Sequence, residues 1–283
     1  MPGKYWIDVY SACNLRCIMC PQSAEKFKRQ AEMPMSMFKE IIDSVCKNNP
    51  LIKLYMSGEP LLHKDIFAMI EYAGGKGCQT MIHTNATLLT EEVSKKLLSS
   101  KLNYLTFSFD GCSAEIYEKL RPPAKFKKTK LNILRYLDLR SNHKNNGPHT
   151  SIEIIKMKDT VELIDNFIDQ WKKSGVDVVN IREYLTWLDA VKDRRTEIPA
   201  NNSYQPCPNV FYTSSILSDG TVVPCCMDVY GKMPLGNIKD ESFRNIWFGE
   251  KYLKLRENMI NGSFSEESIC HDCVNTFSRN AFT

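Results

Sequence analysis

The sequence predicts an α/β fold: an open, partial (β/α)6 barrel of TIM type, followed by a small C-terminal unit made of a β-hairpin plus a helix. Three observations predict it. Strand-like and helix-like stretches alternate through the first 182 residues, the pattern of a parallel sheet with right-handed crossovers. That span falls short of the roughly 250 residues of a complete eight-unit barrel. A polar stretch with two prolines (AVKDRRTEIPANNSYQP, 190–206) then ends the alternation, and a hairpin signal follows it. The expected organisation is therefore a barrel over 1–190, a linker over 191–206 and a small unit over 207–283. In a sheet of this kind chemistry gathers at the carboxyl ends of the strands.

The elements follow in order. Tyr5–Tyr10 (YWIDVY) reads as a strand. Ser36–Asn48 has helical spacing, with Phe38, Ile41, Ile42 and Val45 on one face and Ser36 as candidate N-cap. Ile52–Met56 is the second strand, and Asp65–Lys76 a helix with stop signals in Gly74, Gly75 and Gly77. Thr80–Thr84 is the third strand. Thr90–Ser99 is a helix with a capping threonine and acids in its first turn, which suit the helix dipole. Tyr104–Phe109 is the fourth strand, with helices near Ala114–Leu120 and Lys128–Arg140. Ser151–Lys156, Val161–Ser174 and Asp177–Arg182 complete the alternation as strand, helix and strand. Beyond 206, Val210–Leu217 and Thr221–Val223 flank the turn Ser218-Asp219-Gly220. A helical stretch then runs from Ser242 to Asn261, with Gly249 as its break.

With 43% hydrophobic residues the 283-residue chain can bury a proper core. A net charge of +4 with acids and bases intermixed offers no basic stripe, which argues against a nucleic-acid partner. No apolar run reaches the roughly 20 residues of a membrane span. The N-terminus lacks the apolar core and cleavage site of a signal peptide, so a cytoplasmic protein is expected. Against that background 11 cysteines stand out. Without an export signal they read as metal ligands or redox groups rather than disulfides. Cys46, Cys78 and Cys112 are scattered on apolar patterns and read as small core hydrophobes.

Three of the others form one run, Cys13-Asn-Leu-Arg-Cys17-Ile-Met-Cys20, directly after the first strand. Three thiolates so spaced can wrap one cubane cluster from a single loop. Four-iron clusters normally take four cysteines, so three leave one iron open to a small molecule, as a catalytic zinc is left open. A zinc knuckle would need a second cysteine pair nearby, which is lacking.

The run resembles the signature of the radical S-adenosylmethionine (SAM) superfamily, and further matches follow in the expected order. Gly58-Glu59-Pro60, after the second strand, resembles the motif that engages the SAM amino group. Thr84-Asn85, after the third, resembles the position that contacts the SAM ribose or carboxylate. Ser108-Phe109-Asp110-Gly111, with Tyr117 and Arg121 downstream, is similar to the strand-four segment whose serine and arginine help hold SAM. Each motif alone is weak, but their order and their shared place at strand ends are specific. The resemblance implies that Cys13, Cys17 and Cys20 bind a [4Fe-4S] cluster. It also implies cleavage of SAM to a 5′-deoxyadenosyl radical, which removes hydrogen from substrate, and an electron donor such as flavodoxin or ferredoxin. Chemically, Glu59 suits the SAM ammonium and the planar fork of Arg121 suits its carboxylate.

Cys207, Cys225, Cys270 and Cys273 form a second set, with 17, 44 and two residues between successive members. Four thiolates would close a cluster with no open iron; a structural zinc would also suit them. Together with Pro224, Gly236-Asn237 and Ile246-Trp247, the set resembles the twitch domain, the shortened SPASM extension of the superfamily. That implies one auxiliary [4Fe-4S] cluster. Cys226, beside Cys225, is a bystander or a hydrogen-atom donor.

Among twitch-bearing members the spacing and size are similar to aminocyclitol dehydrogenases of the butirosin-pathway type. That implies a small-molecule substrate, such as a sugar or cyclitol, dehydrogenated or epimerised at an alcohol carbon. Arg182, at the end of the sixth strand, is the candidate substrate-binding or base-like residue, with Glu153, Lys156, Glu183, Tyr184 and Trp187 as possible companions on the rim. Two other readings stay open: a maturase of a ribosomal peptide or protein, and a non-catalytic metal-binding module. The first is disfavoured because the cluster loop begins at residue 13, leaving no room for an N-terminal peptide-recognition domain.

Overall fold

Six parallel strands, each connected to the next through helices, build the first part of the chain in the computed structural model, which describes residues 1–24, 27, 31–143, 147–197 and 206–276. They are β1 (Lys4–Ile7), α1 (Met35–Val45), β2 (Leu51–Lys53), α2 (Ile66–Gly75), β3 (Gln79–Thr84), α3 (Glu91–Ser99), β4 (Tyr104–Ser108), α4 (Ala114–Leu120), α5 (Phe126–Ser141), β5 (His149–Lys156), α6 (Ile164–Lys172) and β6 (Val178–Glu183). The C-terminal part adds α7 (Asn209–Tyr212), β7 (Thr213–Ile216), β8 (Thr221–Val223), β9 (Gly236–Asn237), α8 (Phe243–Phe248), α9 (Glu250–Asn261) and α10 (Ile269–Thr276). The α/β partial barrel with a hairpin-and-helix unit at its C-terminal end is the expected fold class.

One sheet joins the two parts, in the order β6-β5-β4-β3-β2-β1-β7-β8-β9. β7 lies parallel to β1, with Lys4 opposite Thr213 and Ile7 opposite Ile216. β8 and β9 then follow antiparallel. The hairpin is therefore no loose appendage. It covers the edge of β1, whose unpaired backbone groups would otherwise need another partner. The turn is made by Gly220 at φ +93°, a conformation that costs a side chain its Cβ freedom.

The pairing register sorts the sheet's two faces, because neighbours in register share a face and alternate residues change it. Tyr5, Ile7, Ile52, Leu54, Ile82, Leu105, Phe107, Ile152 and Ile154 lie on one face and are fully buried. This face packs on the helices: Phe107 meets Tyr136 of α5 edge-on at 5.5 Å, and Tyr5 meets Phe243 of α8 at 5.2 Å. Each such side chain contributes about 1.5–3 kcal/mol by leaving water. The other face carries Trp6, Lys53, Tyr55, His83, Ser108, Glu153 and Arg182. A complete barrel fills its interior with branched apolar side chains; this interior face also carries charged and hydrogen-bonding ones.

Several local expectations change. Ser36 does not cap α1: the helix begins at Met35, with Pro34 as its extended N-cap, so Ser36 falls inside it. Gly74 and Gly75 are the last residues of α2 rather than its stop, and Gly77 at φ +84° makes the reversal. Val210–Tyr212 is a helical turn instead of strand, because Pro208 at φ −68° starts it and Thr213 Oγ1 donates back to Asn209 O at 2.9 Å. Gly249 does split the last long helical stretch, into α8 and α9. Residues 198–205 of the expected linker lie outside the described residues. Its first part is pinned to the barrel: Arg194 pairs with Asp159 at 2.6 Å, and the Tyr184 hydroxyl donates to Lys192 O at 2.6 Å.

Candidate active site

Just after β1, Asp8 turns its carboxylate to the segment beyond β2, where it accepts from Ser57 N at 3.2 Å and Ser57 Oγ at 2.9 Å. The cysteine loop follows. It is fastened by Leu15 and Met19, 3% and 5% exposed, which sit between the cysteines and plug into the core. Backbone bonds from Arg16 N to Pro122 O (2.7 Å) and Ile18 N to Leu120 O (3.0 Å) tie it to the end of α4. The loop thus presents Cys13, Cys17 and Cys20 from a rigid seat.

All three cysteines line one cavity of about 260 Å³, together with Gly58, Glu59, Thr84, Asn85, Ser108 and Arg121. The motifs that the sequence places at four different strand ends therefore meet. Gly58 is where the chain passes the cysteine loop most closely: a Cβ there would lie 1.9 Å from Tyr10 O and 2.5 Å from Ala12 O, so only glycine fits. Pro60 starts the short 3-10 turn Pro60–Leu62 just behind it.

Glu59 is a hub. Oε1 accepts from Thr84 Oγ1 at 2.8 Å and Leu61 N at 3.1 Å, and Oε2 from Asn85 N at 2.7 Å. It is 2% exposed, and burial pushes its carboxyl up to about 7, opposed by those three donors. One lone pair of Oε2 stays unassigned, which suits an ammonium. Asn85 turns Nδ2 toward Cys13 Sγ at 3.7 Å. Arg121 places Nη1 3.8 Å from Cys17 Sγ, but its Nε (2.8 Å) and Nη2 both bind Asp110, whose other oxygen accepts from Ile155 N at 2.6 Å. The fork of Arg121 is therefore occupied by Asp110, and Nη1 alone turns toward the cysteines. Ser108 lines the cavity from the end of β4.

The donor set fits an iron–sulfur cluster. Burial pushes the Cys13 thiol to about 11 and the Cys20 thiol to about 12, and a bound cation such as iron would favour their thiolates. N–H donors aimed at the sulfurs, with Leu15 N to Cys13 Sγ at 3.4 Å as a third, are the surroundings that stabilise such thiolates.

The second set also converges. Burial raises the Cys225 thiol, helped by Cys226, Cys273 and Cys270 beside it. Cys207 in turn acts electrostatically on Cys270 and Cys226, so the four expected ligands lie in one region of the fold although 66 positions separate the first from the last. Cys207 is held by Met259 of α9, its N–H lying 3.1 Å from the thioether sulfur. Cys226 lies partly buried next to Cys225, desolvation pushes its thiol up to about 11, and its field reaches Lys53 and Tyr55 of the barrel interior.

The interior holds residues the sequence did not single out. Tyr55 and His83 stack at 3.9 Å, 16° from parallel, and both line the cysteine cavity. Glu153 Oε1 accepts from Arg182 Nε at 2.8 Å and Nη2 at 2.7 Å, so Arg182 is bound to Glu153 instead of standing free. Lys53 lies 4.2 Å above the Trp6 ring, and burial lowers its ammonium to about 8. Of the other rim candidates, Trp187 lines the cavity, Tyr184 turns to Lys192 O, and Lys156 faces Glu197 at 3.9 Å. The signal that could have found His83 and Lys53 was parity: both alternate onto the face of Trp6, which only the register identifies as the interior.

Comparison with known proteins bears on both halves. A model described as the radical SAM superfamily matches residues 7–146, and one described as an iron–sulfur cluster-binding domain (SPASM) matches 207–274. The chain is 31% identical over 134 residues to an AdoMet-dependent heme synthase of Methanosarcina barkeri, covering 46% of this chain and only 38% of the relative. It is 23% identical over 278 residues to the S-adenosyl-L-methionine-dependent 2-deoxy-scyllo-inosamine dehydrogenase of Niallia circulans, covering 95% of this chain and 91% of the relative. Among solved structures, BtrN in complex with AdoMet and 2-DOIA has a TM-score of 0.61 at 20% identity, covering 93% of this chain and 88% of that one. Streptococcus suis SuiB bound to precursor peptide SuiA has a TM-score of 0.74 at 16% identity, covering 98% and 70%. The two structural likenesses establish the fold. No helix among the described residues is long and apolar enough to cross a membrane.

Proposed function

The chain belongs to the radical SAM superfamily, binding SAM and iron–sulfur clusters, and we propose that it oxidises or epimerises an alcohol carbon of a sugar- or cyclitol-like small molecule. The observation that carries this reading is the polar interior of the barrel. Tyr55, His83, Glu153 and Arg182 form a hydrogen-bonding and ionic wall beside the cysteine cavity. A hydroxylated molecule could add hydrogen bonds to such a wall, which an apolar one could not. The match along nearly the whole length of a cyclitol dehydrogenase supports the same class.

SAM held beside a cluster on Cys13, Cys17 and Cys20 would supply the radical chemistry that removes a hydrogen atom from substrate. The chain's own contribution is placement and charge. Cys13, Cys17 and Cys20 hold the cluster, and Glu59 receives the SAM ammonium. Gly58, Pro60, Thr84, Asn85 and Ser108 shape the rest of the SAM site. Asp110 holds Arg121 so that its remaining N–H faces Cys17. Cys207, Cys225, Cys270 and Cys273 hold the auxiliary cluster, a one-electron acceptor suited to oxidation. Cys226 would return a hydrogen atom if the outcome is epimerisation. The organisation into a barrel (1–190), connecting segment (191–206) and cluster unit (207–283), together with a flavodoxin- or ferredoxin-type reductant, is part of this reading.

The test is isotope transfer. Reconstituted, reduced protein is given SAM and 2-deoxy-scyllo-inosamine or related cyclitols deuterated at the carbinol carbons. Deuterium in 5′-deoxyadenosine is expected. A peptide maturase, the rival suggested by the likeness to SuiB, would instead take deuterium only from a labelled peptide, and that result would sink the small-molecule reading.

A further inference from the structure

Oxidising an alcohol by radical chemistry requires a proton acceptor as well as hydrogen-atom and electron acceptors. Arg182, the residue whose position first suggests that role, is committed to Glu153. The neighbouring imidazole is arranged for it. His83 Nδ1 lies 3.5 Å from Glu153 Oε2, while Arg182 holds Oε1 of the same carboxylate. A carboxylate facing Nδ1 favours the tautomer with its proton there, leaving the lone pair on Nε2. Nε2 is buried and, among the described residues, has no hydrogen-bond partner. Stacking on Tyr55 at 3.9 Å fixes the ring plane, and His83 lines the cavity that holds Cys13, Cys17 and Cys20. The charged and titratable groups around the ring are Glu153, Arg182, Lys53 and Tyr55. Burial and the two cations hold its pKa well below the ordinary value, so the ring is neutral at neutral pH.

We infer that His83 is the general base for substrate, its Nε2 accepting the hydroxyl proton of a bound alcohol, with Glu153 and Arg182 as positioning residues. The inference rests on the small-molecule alcohol reading above. The balance is complete. The carbinol hydrogen leaves as an atom to the 5′-carbon of the adenosyl group. The hydroxyl proton goes to His83 Nε2. The remaining electron goes to the auxiliary iron–sulfur cluster, and the C–O bond becomes a carbonyl.

The experiment uses the holoenzyme with carbinol-deuterated 2-deoxy-scyllo-inosamine as the probe. It compares wild type with His83→Gln, and records both deuterium transfer to 5′-deoxyadenosine and ketone formation. In the variant, ketone per transferred deuterium, a ratio that does not depend on how much probe binds, should fall by about 100-fold. Freeze-quenched samples of the variant should show a carbon-centred radical by electron paramagnetic resonance. Glu153→Gln should give a smaller loss of ketone per transfer and displace its pH midpoint downward, since the imidazolium loses its carboxylate. Unchanged ketone per transfer in His83→Gln overturns the assignment. Joint loss of transfer and ketone overturns it too, making His83 a binding residue. If wild type transfers no deuterium, the alcohol reading itself fails and the base role falls with it; if only the variant's partition is normal, the alcohol reading survives without His83.

Discussion

The chain builds two cysteine sites by opposite means. Cys13, Cys17 and Cys20 come from one loop of eight residues, stiffened by Leu15 and Met19 and tied to α4. Cys207, Cys225, Cys270 and Cys273 come from three separate segments that meet only because β7 joins β1 and α9 and α10 return the chain. The first site has three sulfurs, a cavity and polar side chains around it. The second has four cysteines within electrostatic reach of one another. The difference is one of spare valence: a site short of one ligand can bind and transform a molecule, whereas a closed one can only take or give an electron.

That comparison can be broken most forcefully at the ligands. Cys17→Ala should reduce SAM cleavage to background, whereas Cys225→Ala should leave SAM cleavage measurable and remove ketone product. Both are read by chromatographic quantification of 5′-deoxyadenosine and product. Equal effects of the two variants would erase the distinction between the sites.

Next in size is the backbone crossing at Gly58. With a Cβ only 1.9 Å from Tyr10 O, Gly58→Ala should destabilise the protein by about 3 kcal/mol or more. A thermal melt unchanged from wild type would mean that the loop can move aside, and that its rigidity is not what distinguishes it from the second site.

The charge at Glu59 sharpens the comparison further. Glu59→Gln should weaken SAM binding by about 10- to 100-fold, the range of a charge-assisted hydrogen bond. Because its carboxyl titrates near 7, SAM should bind more tightly as pH rises through that value, and the variant should lose this dependence in equilibrium titrations. The sign for stability is opposite. A carboxyl raised above its ordinary 4.5 makes the folded state take up protons more readily, so its contribution is present below 4.5 and lost as pH rises through about 7. SAM binding should therefore protect most where the free protein is weakest.

The smallest effect is expected at Cys226. Cys226→Ala should leave dehydrogenation within about threefold and abolish any epimerisation, as expected of a thiol that donates hydrogen without ligating iron. A loss of auxiliary-cluster absorbance in this variant would instead make Cys226 a ligand.

Much of this protein was legible before any coordinates. The alternation of the first 182 residues carries the barrel, because helices and strands that must each bury one face repeat at 3.6 and 2 residues. The Cys13–Cys20 run and the motifs at Gly58, Thr84 and Ser108 mark the candidate SAM site, because each lies within a few residues of a strand end and local order puts it there. The misreadings are local too: Ser36, Gly74 and Val210 sit where two signals compete within a turn, and neighbouring prolines or glycines decide between them.

Tertiary structure decided the rest. No sequence spacing says that β7 pairs with β1, since the connection passes through a long segment. No motif says that Arg121 is held by Asp110, or that Arg182 belongs to Glu153, because an ion pair depends on which strands lie side by side. His83 looks like any residue of a short strand until the register puts it on the polar face, stacked on Tyr55 and turned to Glu153. The sequence alone determines the cluster loop and its family, since those ligands are close in the chain. Which groups face the substrate is set by pairing between distant strands, and that is a property of the folded sheet.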